Sequence, residues 1–338
     1  MRPIALLACL ALFAPATALA EAPAPPEPGP WKLTTVLAAN LSQSSFSSNW
    51  AGGDKGSIVW VLGANTTAER QFSRSFNLLN TLQLAYGQTS KQVDDGTGGR
   101  VWDTPDKTTD QLLFESVGRW TTSGYVDPYL SLRAESQFED QSNPLGVLRF
   151  NPIKLKESAG IARVLRKTAD AELITRVGFG FRQAFGRTFV AGPPVAKESF
   201  STNDGGFEWQ TSVKQPILEK KVLWTGSLLV FQPVFFSGSG DLETYDDEAR
   251  VAFGAGHENV AGFWRTADLG AQSTFSAQIT KSLGVELFAQ WVYDKFDNAA
   301  NVDSAQPLAV RDAEIRRNIR RAGQFKETLA LALKYRLF

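Results

Sequence analysis

His257 is the only histidine among 338 residues, and it stands in Gly254-Ala255-Gly256-His257-Glu258-Asn259. Serine hydrolysis needs an imidazole within hydrogen-bond reach of the hydroxyl, so a hydrolase built on this chain would have to use His257. No serine stands two residues beyond it, and a solvated loop histidine is the plainer reading. Asp241, Glu243, Asp246, Asp247 and Glu248 offer hard oxygen ligands of the kind calcium takes. Their spacing matches no calcium loop, so the expectation is a solvated acidic loop and no metal. Arg311 to Arg321 reads Arg-Asp-Ala-Glu-Ile-Arg-Arg-Asn-Ile-Arg-Arg, which sets Ile315 and Ile319 on one face of a short helix among arginines. That segment could bind phosphate groups or fold inward as a constriction; a solvated charged loop is the plainer alternative. Gly98-Gly99 lies among turn residues with no strand-to-helix context, so no phosphate loop, dinucleotide fingerprint or other cofactor site is expected.

Composition narrows the class further. Lys plus Arg and Asp plus Glu are both 35, which gives no basic bias towards nucleic acid. The chain opens with Met1-Arg2-Pro3, an apolar run from Ile4 to Phe13, and the small-x-small triplet Ala18-Leu19-Ala20. This is the secretory pattern, with cleavage expected after Ala20 and residues 1–20 removed. Cys9 sits too early in the apolar run for a lipoprotein signal, and its removal leaves the mature chain without a thiol or a disulfide. Residues 21–30, rich in Pro and Ala, read as an extended lead-in. The longest apolar stretch beyond the signal, 222–236, is broken by Gly226, Ser227, Gln232 and Pro233 and falls short of the ~20 residues a membrane helix needs.

The elements that must position any site read as strands. In the last, Leu329, Leu331, Leu333, Tyr335 and Leu337 alternate with Thr328, Ala330, Ala332, Lys334 and Arg336, and the chain stops at Phe338. An apolar face opposite a charged one, with period two, fits a wall between lipid and a wet lumen. The same alternation recurs over 130–138, 173–181, 267–279 and 285–294. It directs Glu115, Arg119, Arg133, Glu135, Glu172, Arg176, Arg182, Glu208, Lys214, Glu286, Asp294, Lys334 and Arg336 inward. Short connections are expected near Glu69–Phe72, Thr122–Tyr125, Lys167–Ala169, Glu219–Lys220 and Lys281–Leu283. Long ones are expected near Ser47–Lys55, Lys91–Lys107, Asp140–Asn151, Thr188–Gly205, Ser237–Gly262 and Asp297–Gly323. Strict long–short alternation predicts an all-β fold over residues 31–338: a transmembrane antiparallel up-and-down β-barrel of about twelve strands, with N- and C-termini periplasmic. Trp31, Trp60, Tyr86, Trp120, Tyr129, Trp209, Trp224, Trp264, Trp291, Tyr293 and Tyr335 are expected to form interfacial belts.

Three stretches carry a family resemblance: Asn40 to Gly53 with its Asn49-Trp50-Ala-Gly-Gly53, Asp127 to Phe138, and Glu157 to Ile161. Together they resemble an uncharacterised domain-of-unknown-function family of predicted Gram-negative outer-membrane barrels. The resemblance implies location and architecture, and it implies no reaction. The C-terminal strand is similar to the signal read by the barrel-assembly machinery, although Tyr335 stands three residues before Phe338 where the pattern has an aromatic two before. The partners so implied are the lipid bilayer, lipopolysaccharide and the assembly machinery; the oligomeric state is left open. Outer-membrane phospholipases of twelve strands use a Ser/His/Asn set on the outer wall, and His257 lacks the matching serine. The functional expectations are therefore a narrow passive pore for small polar solutes or ions, a non-conducting structural or interaction barrel presenting long outer loops, and, least supported, a hydrolase.

Overall fold

A computed structural model describes residues 27–46, 55–97, 99–122, 124–190, 195–254, 257–280 and 282–336, with side chains as far as Leu329. The signal and its cleavage, most of the lead-in, Asn49, Trp50, Leu337 and Phe338 lie outside the described residues.

Twelve long strands dominate the chain: β1 (Lys32–Ser44), β2 (Ser57–Ser73), β3 (Phe76–Asp94), β4 (Asp106–Trp120), β5 (Asp127–Ser136), β6 (Ile153–Lys167), β7 (Glu172–Val190), β8 (Ala196–Ile217), β9 (Val222–Phe236), β10 (Asp268–Gln278), β11 (Leu283–Tyr293) and β12 (Gln324–Arg336). Each pairs antiparallel with the next along the chain. The last returns to the first, with Val36–Ala39 on β1 opposite Leu333–Arg336 on β12. Every long strand therefore has two partners, the seam between β1 and β12 being the shortest at four residue pairs. Short strands at Arg100–Trp102 and at Glu139–Asp140 with Leu148–Arg149 decorate the connections.

Opposed residues of an antiparallel ladder share a face, so the registers assign faces around the circuit. One face runs through Leu130, Ala159, Phe179 and Phe207, and through Val177, Trp209, Val230, Leu269 and Tyr293. It leaves Leu41, Leu62, Leu132, Leu228 and Leu329 open to the surroundings. The opposite face is polar, and its side chains reach between strands that are not neighbours. Tyr129 on β5 bonds Glu208 on β8 at 3.0 Å, Glu115 on β4 pairs with Arg176 on β7 at 3.6 Å, and Arg182 on β7 reaches Asp268 on β10 at 2.7 Å. Side chains converge like this only on the concave side of a curved wall. The polar face is the inside.

Two expected breaks move. The β2–β3 turn falls at Arg74–Ser75, beyond the expected Glu69–Phe72, because Asn77 holds Glu69 and Gln71 side chains at 3.0 and 3.1 Å and keeps both in the ladder. Thr188–Gly205 is mostly strand, since β7 runs to Val190 and β8 starts at Ala196. Gly206, next to its end, lies in β8 and serves close backbone approach. A Cβ on Gly206 would stand 2.8 Å from the Pro233 Cα of the neighbouring strand. This hairpin pairs with β6 only as far as Phe185 and with β9 only from Asp204, so its tip projects beyond the wall. The other long connections lie at the same end, and the outer ends of β1 and β12 lie at the opposite, short-turn end.

Two of those connections fold into a cap. Residues 237–267 carry α1 (Ser239–Phe253) and a single helical turn at Phe263–Arg265, and residues 294–323 carry α2 (Leu308–Asn318).

Candidate functional site: the barrel lumen and its cap

The lumen wall is held by ion pairs that follow from the strand registers. Arg133 pairs with Glu135, Arg119 lies 3.9 Å from Asp127, and Glu172 lies 3.7 Å from Lys167 and opposite Lys214. Glu286 accepts a hydrogen bond from Ser276 at 3.0 Å. Lys334 and Arg336 stand opposite Ala38 and Val36 in the register, which puts both positions on the inner face; their side chains lie outside the described set. Leu329 is outward and 72% exposed, while Leu331, Leu333 and Tyr335 hold the same outer register opposite Val285, Leu283 and Leu37.

The densest contact is one that the sequence reading assigned elsewhere. Tyr129, expected in the belt, is only 2% exposed and points inward, since period two from Asp127 puts it in phase with Ser131 and Arg133. Its hydroxyl donates to Glu208, whose second oxygen accepts from Lys156 at 2.8 Å. Gly178 makes room for the ring's end, because a Cβ there would stand 2.7 Å from Tyr129 Oη. Trp264 also leaves the belt and is buried in the cap. At the short-turn rim a run of ring contacts passes from Trp31 through Phe72 and Phe76 to Trp120, with centroids 5.7, 5.8 and 4.9 Å apart.

The cap has its own small core of Phe236, Leu242, Tyr245, Ala249, Val260, Trp264, Phe296, Ala300, Val302 and Ile315. The acidic run is helical, not a loop. Asp246 is buried on α1 and accepts from the backbone amides of Val260 and Ala261 at 2.9 and 2.7 Å. His257 is likewise buried, not solvated, and bonds Asp246 at 2.9 Å. Both therefore tie residues 257–261 to α1. Within 311–321, Arg311 and Ile315 are buried, with Arg311 paired to Glu248, whereas Arg316 and Arg317 stay exposed and pair along the helix with Asp312 and Glu314. The helix ends at Asn318, so Ile319 does not share its face and bridges instead to Phe296. Tyr245 donates to Asp312 at 2.7 Å. Burial works to raise Asp312, but the bonds from Tyr245 and Arg316 outweigh it and hold the carboxyl below its ordinary range.

The cap reaches down into the lumen through residues 294–300. Asn298 donates to Asp204 at 2.7 Å and Lys154 pairs with Asp297 at 3.2 Å. Arg182 pairs with Asp204 and lies 3.8 Å over the Phe231 ring. Between cap and wall these groups enclose a cavity of about 230 Å³. Beyond Asp294 nothing in the strand periodicity marks residues 295–300; the run Asp294-Lys-Phe-Asp297-Asn298 is the one signal available.

Residues 41–141 match the family model "Protein of unknown function (DUF3078)". No curated protein matches the chain. Among solved structures, the chain is similar to the COG4313 outer membrane channel from Pseudomonas putida F1, at 9% identity and a TM-score of 0.38 over 94% of this chain and 99% of that one. It is also similar to the beta domain of the Bordetella autotransporter Brka, at 11% identity and a TM-score of 0.32 over 92% and 99%. A third similarity is to Pseudomonas aeruginosa OccK7 (OpdD), at 8% and 0.27 over 91% and 99%. All three scores are below 0.5, and the architecture above stands on the strand pairings alone.

Asp294 gives the cap a pH dependence. Burial first, then repulsion from Asp268 and Asp297, push its carboxyl up to about 8, with Arg182 opposing. An unfolded chain releases that proton near pH 4, so the native state holds the extra proton between about 4 and 8. Its contribution is whole at low pH and lost as pH rises through about 8, at up to ~1.4 kcal/mol per pH unit. The urea midpoint in detergent is expected to fall between pH 6 and pH 9, and Asp294→Asn to flatten that fall.

Proposed function

We propose that this chain is an outer-membrane β-barrel with periplasmic termini that admits small polar solutes or ions through a narrow lumen. The observation that supports this most is the up-and-down run of antiparallel pairings, which returns from β12 to β1, with one apolar and one polar face. Only closed barrels and helices satisfy every backbone group in lipid, and no helix among the described residues is long and apolar enough to cross. Short turns at the end where β1 begins and β12 finishes, and long connections at the other, fit periplasmic and extracellular sides.

Passage rather than a filled core is supported by an asymmetric inner wall. Bulky ion pairs crowd the side of β4 to β8. On β1 to β3 the inner register is small: Val36, Asn65 and Gln83 at one level, Ala38, Gly63 and Ala85 at the next. Twelve strands lie between the eight that side chains fill and the sixteen or more that leave an open channel. The cap docking on Asp204 and Lys154 favours the non-conducting alternative. Planar bilayers separate the two. Stepwise currents from refolded protein are the expected result; silence from a folded, heat-modifiable preparation would leave the structural barrel.

The membrane assignment has its own test. Leu228, at the middle of β9, is 41% exposed on the outer face and Ser227 faces inward. Leu228→Arg is expected to cost about 2–4 kcal/mol in lipid vesicles, the range for a charge at the bilayer midplane. Ser227→Arg should cost much less. Equal costs would put the outer face against something other than hydrocarbon.

A further inference from the structure

We infer that the cavity between cap and wall is a binding site for a small zwitterion of amino-acid size. This rests on the pore reading, because it names the class of solute the lumen would select.

The first support is a pair of buried polar atoms with no partner among the described residues. Asn298 is 8% and Thr202 7% exposed; both line the cavity, and Asn298 Oδ1 and Thr202 Oγ1 are unbonded. Both atoms are out of reach of water as the side chains stand, and an unmet buried polar atom costs about 1–3 kcal/mol, which favours a small turn of Asn298 and Thr202 towards a guest that meets them. Asn298 spends its amide nitrogen on Asp204, which orients the free oxygen as an acceptor. It therefore calls for a donor such as an ammonium group.

The second support is charge. Four cations and four carboxyl groups line the cavity, Asp294 among them as a protonated donor below about pH 8, so the lining offers groups for both a carboxylate and an ammonium. Each cation already has an acidic partner, yet Arg133 meets Glu135 through Nε, which leaves its terminal nitrogens for a carboxylate. Leu229, Phe231 and Ala184 add an apolar patch for a short aliphatic carbon. The volume is several times the ≈30 Å³ of one water, which suits a solute of a few heavy atoms. A donor at one end, an acceptor at the other and little carbon between describe a small amino acid.

The experiment uses the full chain in two formats: ion current in planar bilayers and calorimetry in detergent, both with L-alanine as probe. The expected result is a saturable reduction of current and a matching binding heat, with acetate, methylammonium and glucose each at least tenfold weaker. Thr202→Val keeps the shape and should weaken L-alanine at least tenfold; Asn298→Leu should do the same and also probes the docking bond. Binding heat without any current would refute the pore and keep the site. Current with no block and no heat would refute the site and keep the pore. Glucose, acetate or methylammonium acting as strongly as L-alanine would overturn the zwitterion assignment.

Discussion

Glu208→Ala is expected to destabilise the barrel by about 3–5 kcal/mol, the range for leaving one partner of a buried ion pair uncompensated. Glu208 is nearly sealed off inside the wall and holds Tyr129 with one oxygen and Lys156 with the other, joining β5, β6 and β8 across the strands between them. Its removal strands an ammonium and a phenol hydroxyl together in a space so tight that a Cβ at Gly178 would stand 2.7 Å from the phenol oxygen. Relaxation has little room. Glu208→Gln keeps an acceptor for Tyr129 and should fall between the wild type and Glu208→Ala. Adding Lys156→Met to Glu208→Ala should recover most of the loss, because the exposed penalty is the unpaired cation and not the missing bond. Urea unfolding in micelles, followed by tryptophan emission, reads all four proteins. A cost near 1 kcal/mol for Glu208→Ala, or no recovery in the double variant, would show that the network does not brace the wall.

How much of this was legible in the residues depends on whether the signal is local. Period two assigns the faces of β5, β7, β10, β11 and β12, because lipid outside and water inside act on each side chain separately. Leu329 and Arg176 are placed by that rule alone. Partners are another matter. That Arg176 meets Glu115 depends on which strands curl towards each other, a property of the whole circuit and not of either strand. Tyr129 is ambiguous by residue type, because aromatic rings suit both an interfacial belt and a buried bond, and only the phase set by Asp127 separates the two. The length of the β7–β8 hairpin is not legible locally, because nothing in the residues themselves shows that Gly186, Gly205 and Gly206 are required by crowding from neighbouring strands. The cap was least legible. Asp246 and His257 look solvated in a charged loop until two connections separated by β10 and β11 pack together and bury them.

Ile315→Asp is expected to release the cap and raise single-channel conductance several-fold while leaving the wall folded. Ile315 is fully buried on α2 within a core built from two connections and one strand end. A carboxylate there has no apolar-core partner to satisfy it, and burying an unpaired charge costs more than so small a core supplies. Ile315→Ala leaves a cavity instead, for about 2–5 kcal/mol, and should loosen the cap less. The wall does not share this fate, since its strands pair through their backbones and its ion pairs lie below Ile315. The anchors Asn298 to Asp204, Lys154 to Asp297 and Asp294 to Asp268 would then tie residues 294–300 to the lumen, and all are water-accessible once the cap lifts. Trypsin gives a second readout, because Arg316, Arg317 and Arg321 are exposed on a segment that the docked cap holds rigid. Faster cleavage there, with larger current and unchanged heat-modifiable migration, is the expected pattern. If current and cleavage both stay at the wild-type level, the constriction lies in the wall, among the ion pairs of β4 to β8, and the cap only rests on it.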